Sequence, residues 1–421
     1  MSILTAGSTE REAPSPSFFE FVLMIAFMMA LGSMSIDNLL PAFDPIAADY
    51  GLSSVNEVQL ILTVYMVGFG VMQLFYGPIS DVIGRRPTLM IGLVIFAIGS
   101  FIALFAPTFE VLLFARAIQG MGAAATRILS VAIVRDRFHG REMARVMSIV
   151  MMIFLIVPVF APSIGSFFLL FGSWHVIFVS MLVMALALAI WFGRRMPETL
   201  HPEYRMPFSL KRIGAGAMRC VTLRATFGYA TAMALMYGAL MGYIASSQQI
   251  FETDVYGLGL LFPAVFGSIA AVMGVAAYMN SKLVRRLGMR RLSHAGVCGY
   301  LVFAFALVAM AVVYDGKPPL FLFILGLAGC QFLFSLAMPN FNTMAMEPLG
   351  DVAGTASSVI GAYTTLGGSL IGMVISQSFN GTVLPLSIGF LVMGLLAFAL
   401  VLWTEKGRLF RPHNPDPLPV K

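Results

Sequence analysis

Gly77-Pro78-Ile79-Ser80-Asp81-Val82-Ile83-Gly84-Arg85-Arg86-Pro87 is a charged interruption between two long apolar runs, and its reading decides the fold. An acid, two arginines and two glycines wedged in such a place predict a compact turn that hinges two membrane helices. Glycine permits unusual dihedrals and close backbone approach, Pro87 stiffens the start of the next helix, and the charges can reach helix ends at the membrane surface.

Working outward, the rest of the chain repeats this alternation of apolar run and charged connection. Hydrophobic residues make up 59% of its 421 positions and charged residues only 11%, with a mean hydropathy of +0.89. That leaves too little polar surface for a soluble globule of this length. Runs of about twenty residues, enough to cross a ~30 Å hydrocarbon core as helices, lie near 18–41, 56–79, 88–106, 110–134, 145–171, 174–193, 223–248, 258–281, 290–313, 319–346, 352–378 and 382–404. The fold class is therefore an all-α integral membrane protein of twelve transmembrane helices.

Of the lysines and arginines, only Lys317, Arg116 and Arg127 escape the even-numbered connections and the two ends. The positive-inside bias then puts both termini in the cytoplasm. The formal charge of +6 is met by anionic lipid and implies no nucleic-acid partner. The first apolar run is long and ends without a small-residue cleavage site, so it reads as an uncleaved helix. Cys220, Cys298 and Cys330 are too widely spaced for a disulfide frame or a metal site. The five histidines sit near loops or span ends, with no metal spacing or nucleophile triad, which disfavours a membrane enzyme.

The longest polar stretch, 194–222, divides the chain. We read a disordered lead-in over 1–17, a six-helix half over 18–193, a cytoplasmic linker over 194–222, a second six-helix half over 223–404, and a cytoplasmic tail over 405–421. A shift of 204 positions lays Gly288 on Gly84 and Arg290 on Arg86, with Asp81 falling on Arg285. This weak repeat suggests two pseudo-symmetric halves, one of the main transporter architectures.

A charge in the bilayer core costs about 2.5 kcal/mol or more, so each should face a partner or a wet cavity. Asp37 and Arg116 are expected in one layer near the outer ends of spans 1 and 4. Arg127, eleven residues further on, falls about 20° round the helix from Arg116 and ~16 Å deeper, so the two should share a face. Asp37 reads either as a proton-loading carboxylate, its proton affinity set by solvation and the nearby arginine, or as half of an ion pair that anchors helices. Arg127 either lines the cavity or snorkels to the surface. Neutral candidates for the cavity are Gln119, Tyr237, Tyr243, Gln248, Gln331, Asn340, Asn342 and Thr364, and the 36 Phe and 30 Met would suit bulky apolar compounds.

Four motifs in order carry a resemblance. The Gly77 turn is similar to the loop between spans 2 and 3 of the major facilitator superfamily, with Gly77, Asp81, Gly84, Arg85 and Arg86 in register and Val82 where arginine is usual. Arg116-Ala117-Ile118-Gln119-Gly120 resembles the fourth-span motif. Pro158-Val159-Phe160-Ala161-Pro162-Ser163-Ile164-Gly165 resembles the fifth-span antiporter motif, and Glu347-Pro348-Leu349-Gly350 with Ala353-Gly354-Thr355 resembles the loop between spans 10 and 11. In that motif Pro158 and Pro162 each remove a backbone donor while Ala161 and Gly165 admit a neighbouring helix; packing alone is its plainer role.

The chain is thereby similar to the twelve-span drug/proton antiporters, and to their bicyclomycin and chloramphenicol resistance branch. The resemblance implies an inner-membrane exporter that is no enzyme and needs no cofactor. It would exchange protons for a small amphipathic molecule by alternating access, as a monomer in a bacterium. Asp37 would carry the proton, Arg116 would tune it, and Asp81, Arg85 and Asp136 would latch the outward-open state, with Asp81 against the start of span 11. The alternative on the same fold is a proton-coupled symporter or exporter of a metabolite.

Overall fold

The computed structural model describes residues 16–205 and 207–411. The expected lead-in lies outside them except for its last two residues, as does the tail beyond Arg411. Among the described residues twelve helices are long and apolar enough to span a membrane. Numbered as spans 1 to 12, they are Phe18–Asp37, Leu60–Ile83, Arg85–Leu104, Phe109–Arg137, Gly140–Leu169, His175–Arg195, Arg224–Ser247, Phe262–Leu287, Met289–Val313, Leu320–Met346, Ala353–Gln377 and Leu384–Thr404. Both described ends and all the basic connections fall on one side, here called the basic face.

The expected turn at Gly77 is much shorter in the structure. Span 2 stays helical through Pro78 to Ile83, span 3 begins at Arg85, and Gly84 alone makes the break. Its φ of +106° and ψ of 160° lie in a region that only glycine adopts freely, so a single residue does what a loop was expected to do. Gly288, at φ +80°, does the same between spans 8 and 9. The repeat read at 204 positions thus recurs as two matching one-residue breaks.

The linker is not wholly irregular either. Leu210–Thr222 forms a helix packed against spans 7 and 11.

Spans 3, 6, 9 and 12 carry exposed apolar stripes at helical spacing, among them Ile91, Val94, Ile98 and Phe101 on span 3 and Val179, Val183, Leu186 and Ile190 on span 6. A stripe of that kind on a spanning helix is a lipid-facing surface. The two halves meet where span 2 packs on span 11 and span 5 on span 8. At the second contact the Val159 carbonyl lies against Gly267, where a Cβ would come within 2.5 Å of it. The same span presses on span 1, and any Cβ at Gly165 would run into the Asn38 carbonyl. Span 5 is therefore wedged between its own half and the other, with its fifth-span motif at both contacts.

Candidate transport cavity and its gates

Between the halves lies a cavity of about 1910 Å³. Its lining runs from Ser33, Asp37, Tyr65, Tyr243 and Phe266, through Arg127, Tyr237, Met241 and Thr364, to Asp81, Arg85, Arg135, Asp136, His201 and Thr355. The last group lies at the basic face. Among the described residues none from a connection on the opposite face lines the cavity, so it opens towards the basic face.

The opposite face is shut by amides from both halves. Asn56 donates to the carbonyls of Gln377 (3.1 Å) and Phe379 (2.9 Å), and Gln377 donates back to the Asn56 carbonyl at 2.6 Å. Gln249 donates to the Asn56 side chain at 3.0 Å, and Gln59 donates to Gln249. Gln59 and Gln249 are fully buried. None of these four residues stood out in the sequence. The Gln248-Gln249 pair at the end of span 7 was the available signal, and Gln248 drew attention in place of its neighbour.

Asp37 ends span 1, is only 4% exposed, and accepts a hydrogen bond from Ser33, one turn earlier, at 3.0 Å. The expected pairing with Arg116 is absent. Arg116 is wholly buried and donates to Gln119 (2.7 Å), the Ser35 carbonyl (3.0 Å) and the Ile61 carbonyl (3.4 Å). It lies 4.4 Å over the ring of Tyr65, a ring that itself faces the cavity and screens the guanidinium from it. Gln119 continues the chain by donating to Ser100 at 2.7 Å on span 3. Arg116 and Gln119, expected in the cavity, are instead a polar bolt joining spans 1 to 4.

Arg127 does line the cavity and is exposed there. It shares a helix face with Arg116, yet the two see different surroundings. Spans 1 and 2 cover that face of span 4 at Arg116 and leave it open at Arg127. Tyr237, Tyr243, Asn342 and Thr364 also reach the cavity, whereas Asn340 does not. Asn340 donates to Asn280 at 2.8 Å and so ties span 10 to span 8. The hydroxyls of Tyr243 and Thr364 are buried without a hydrogen-bond partner among the described residues.

At the basic face Arg85, 4% exposed, holds both acids of the expected network, Asp81 at 2.6 Å and Asp136 at 2.9 Å, and also donates to Ser80. No hydrogen bond or ion pair joins Asp81 to span 11 among the described residues; Gly354 and Thr355 stand with it around the open mouth. A residue missed in the sequence completes the site. Glu198, from the linker, accepts from the backbone N–H of Arg85 (2.9 Å) and of Arg86 (3.1 Å), which places a carboxylate on the positive end of span 3. Arg86 turns away from the mouth to the Gly193 carbonyl. The second half has a counterpart, where Arg290 meets Glu405 at 3.0 Å and Glu347 at 3.7 Å.

Twelve helices in two halves, a central cavity open to one face and a seal on the other define a membrane transporter that works between two halves. Comparison with known proteins gives the same class. Residues 23–372 match the model of the Major Facilitator Superfamily, and the chain belongs to that family. It is 32% identical over 391 residues to the uncharacterized MFS-type transporter YdgK of Bacillus subtilis, covering 89% of this chain and 94% of that one. It is 28% identical to the bicyclomycin resistance protein homolog of Haemophilus influenzae, over 88% of this chain and 92% of that one. With multidrug resistance protein D of Escherichia coli it shares 28% identity over 83% of this chain and 86% of that one. Among solved structures, that of a D-xylose-proton symporter superposes with a TM-score of 0.73 at 13% identity, covering 93% of this chain and 98% of the other; at that identity the likeness shows the fold alone.

Proposed function

We propose that the protein exports small amphipathic compounds from the cytoplasm of a bacterium across its inner membrane, in exchange for protons, by alternating access. The observation that carries the reading is Asp37, a carboxylate on the cavity wall that is held by one serine hydroxyl and by no cation within ion-pair distance among the described residues. A carboxylate so lightly tied can take up or release a proton as its surroundings change, which a coupled carrier requires.

The positive-inside bias makes the basic face cytoplasmic, so the cavity faces the side from which an exporter loads. Its wall mixes apolar and flexible side chains such as Met66, Phe69, Met241 and Phe266 with polar ones such as Gln73, Arg127 and Asn342, which suits amphipathic compounds of varied shape. Relatives named for bicyclomycin and multidrug resistance support the same reading. The chain acts as a monomer in this scheme, and substrate and protons are its only ligands. Arg85, with Asp81, Asp136 and Glu198, forms the part of the cytoplasmic gate that must re-close when the outer face opens.

Purified protein in sealed vesicles with an imposed pH gradient tests the proposal. Labelled drug should accumulate on the side with the higher proton concentration, against its own gradient. Accumulation on the opposite side, together with protons, would indicate a symporter and defeat the export reading.

A further inference from the structure

The lining of the cavity holds three acids and three arginines, but they are unevenly matched. Asp81 and Asp136 are both bound to Arg85. Asp37 lies at the far end. Arg127 projects into the cavity about ten residues, or ~15 Å, inside the basic end of span 4, and no hydrogen bond, ion pair or ring contact reaches it from the described residues. Across from it Tyr237, on span 7, lies within electrostatic reach of both Arg127 and Asp37.

An arginine at this depth is costly unless something uses its charge. Arg116, on the same helix, has all its groups engaged, so span 4 can satisfy a guanidinium when the role is structural. Arg127 has its planar fork of donors open to the cavity, and that fork matches carboxylate, phosphate and sulfonate oxygens. Arg135, also unpaired among the described residues, lines the mouth on the same helix. It would draw the same sign of charge inward.

We infer that Arg127 is the recognition point for an anionic group on the transported compound, so that the cavity takes amphipathic weak acids or zwitterions as well as neutral molecules. This rests on the export reading for the compound's movement, and on the cavity alone for its binding.

Two dyes built on one xanthene frame test it: fluorescein, an anion at pH 7.5, and rhodamine 123, a cation. Binding to the purified protein in lipid nanodiscs is followed by fluorescence anisotropy. The wild type should bind fluorescein, Arg127→Gln should weaken it by about tenfold or more, and Arg127→Lys by much less. Rhodamine 123, which the guanidinium repels, should bind Arg127→Lys as it binds the wild type and Arg127→Gln at least as tightly. In the wild type, which needs no variant to fold, 1-naphthalenesulfonate should displace fluorescein and 1-naphthalenemethanol should not.

Equal fluorescein affinity in the wild type and Arg127→Gln, equal loss of both dyes, or no binding of fluorescein by the wild type would each overturn the inference. Rhodamine 123 bound and exported while fluorescein is ignored would leave the exporter standing and remove the anion site. Fluorescein bound through Arg127 with no uphill movement of either dye would do the reverse.

Discussion

Asp37 and Arg116 differ in what surrounds them, and the difference assigns them different work. Asp37 keeps a single hydroxyl partner at the cavity wall, whereas Arg116 spends its donors on Gln119 and two backbone carbonyls behind Tyr65. Asparagine at 37 preserves size and can still meet Ser33 but cannot titrate. Asp37→Asn should therefore fold, bind a neutral drug with affinity close to wild type, and lose both pH-driven export and the proton release that drug addition causes in unbuffered solution. Proton release at the wild-type level would remove Asp37 from the coupling step.

Arg116→Ala should fail in another way. It leaves the Gln119 and Ser35 oxygens without the donor Arg116 supplies in a dry interior, while the Ile61 carbonyl keeps its own helical bond, at a cost of about 3 kcal/mol or more. The expected sign is a lower melting temperature and lower folded yield in detergent. A variant that melts like the wild type would show that the bolt bears little load. The sequence marked both residues because a charge inside an apolar run is conspicuous, but spacing along one helix gives a direction and a depth only. Whether a neighbouring helix covers that face depends on how spans 1 and 2 of the same half pack against span 4, and local pattern does not carry that.

At the scale of the element, the two one-residue breaks invite a comparison. Gly84 and Gly288 both lie at positive φ, and both sit between the second and third helices of their half. A Cβ at Gly84 would also strike Glu198, whereas one at Gly288 meets nothing within 4 Å. Backbone strain of order 1–3 kcal/mol is common to both alanine variants, and only Gly84→Ala should also dislodge Glu198 from the start of span 3. We expect Gly84→Ala to lose clearly more melting temperature and more transport than Gly288→Ala. Equal losses would mean that the Glu198 contact contributes nothing. The alternation of apolar runs made all twelve helices legible, yet the length of the break was not. Pro78 and the charges suggested a loop from Gly77 onward, while helix continued because Pro78 removes only one backbone bond and a single glycine can turn the chain.

For the whole molecule, the question is what holds the closed face closed. The seal joins span 2 and its lead-in to the ends of spans 7 and 11 through Asn56, Gln59, Gln249 and Gln377, all uncharged. At the basic face the cavity is open, and Arg85 pairs with Asp81 and Asp136 of its own half. The preference for this conformation thus rests on amide hydrogen bonds and on the packing of spans 2 and 5 against 11 and 8. Each hydrogen bond contributes about 1 kcal/mol net. Gln377→Ala removes the donor to the Asn56 carbonyl at 2.6 Å and should raise the share of molecules open to the other side about fivefold. The measurement is the rate at which Thr364→Cys, on the cavity wall, reacts with an impermeant thiol reagent added from the sealed side, in a background where Cys220, Cys298 and Cys330 are replaced by serine. Because none of the four amides titrates, the ratio of rates between Gln377→Ala and its parent should hold from pH 6 to pH 8. Equal rates in the two proteins would locate the barrier in helix packing, and a ratio that changes with pH would show that a charged group outside the four amides holds the face shut.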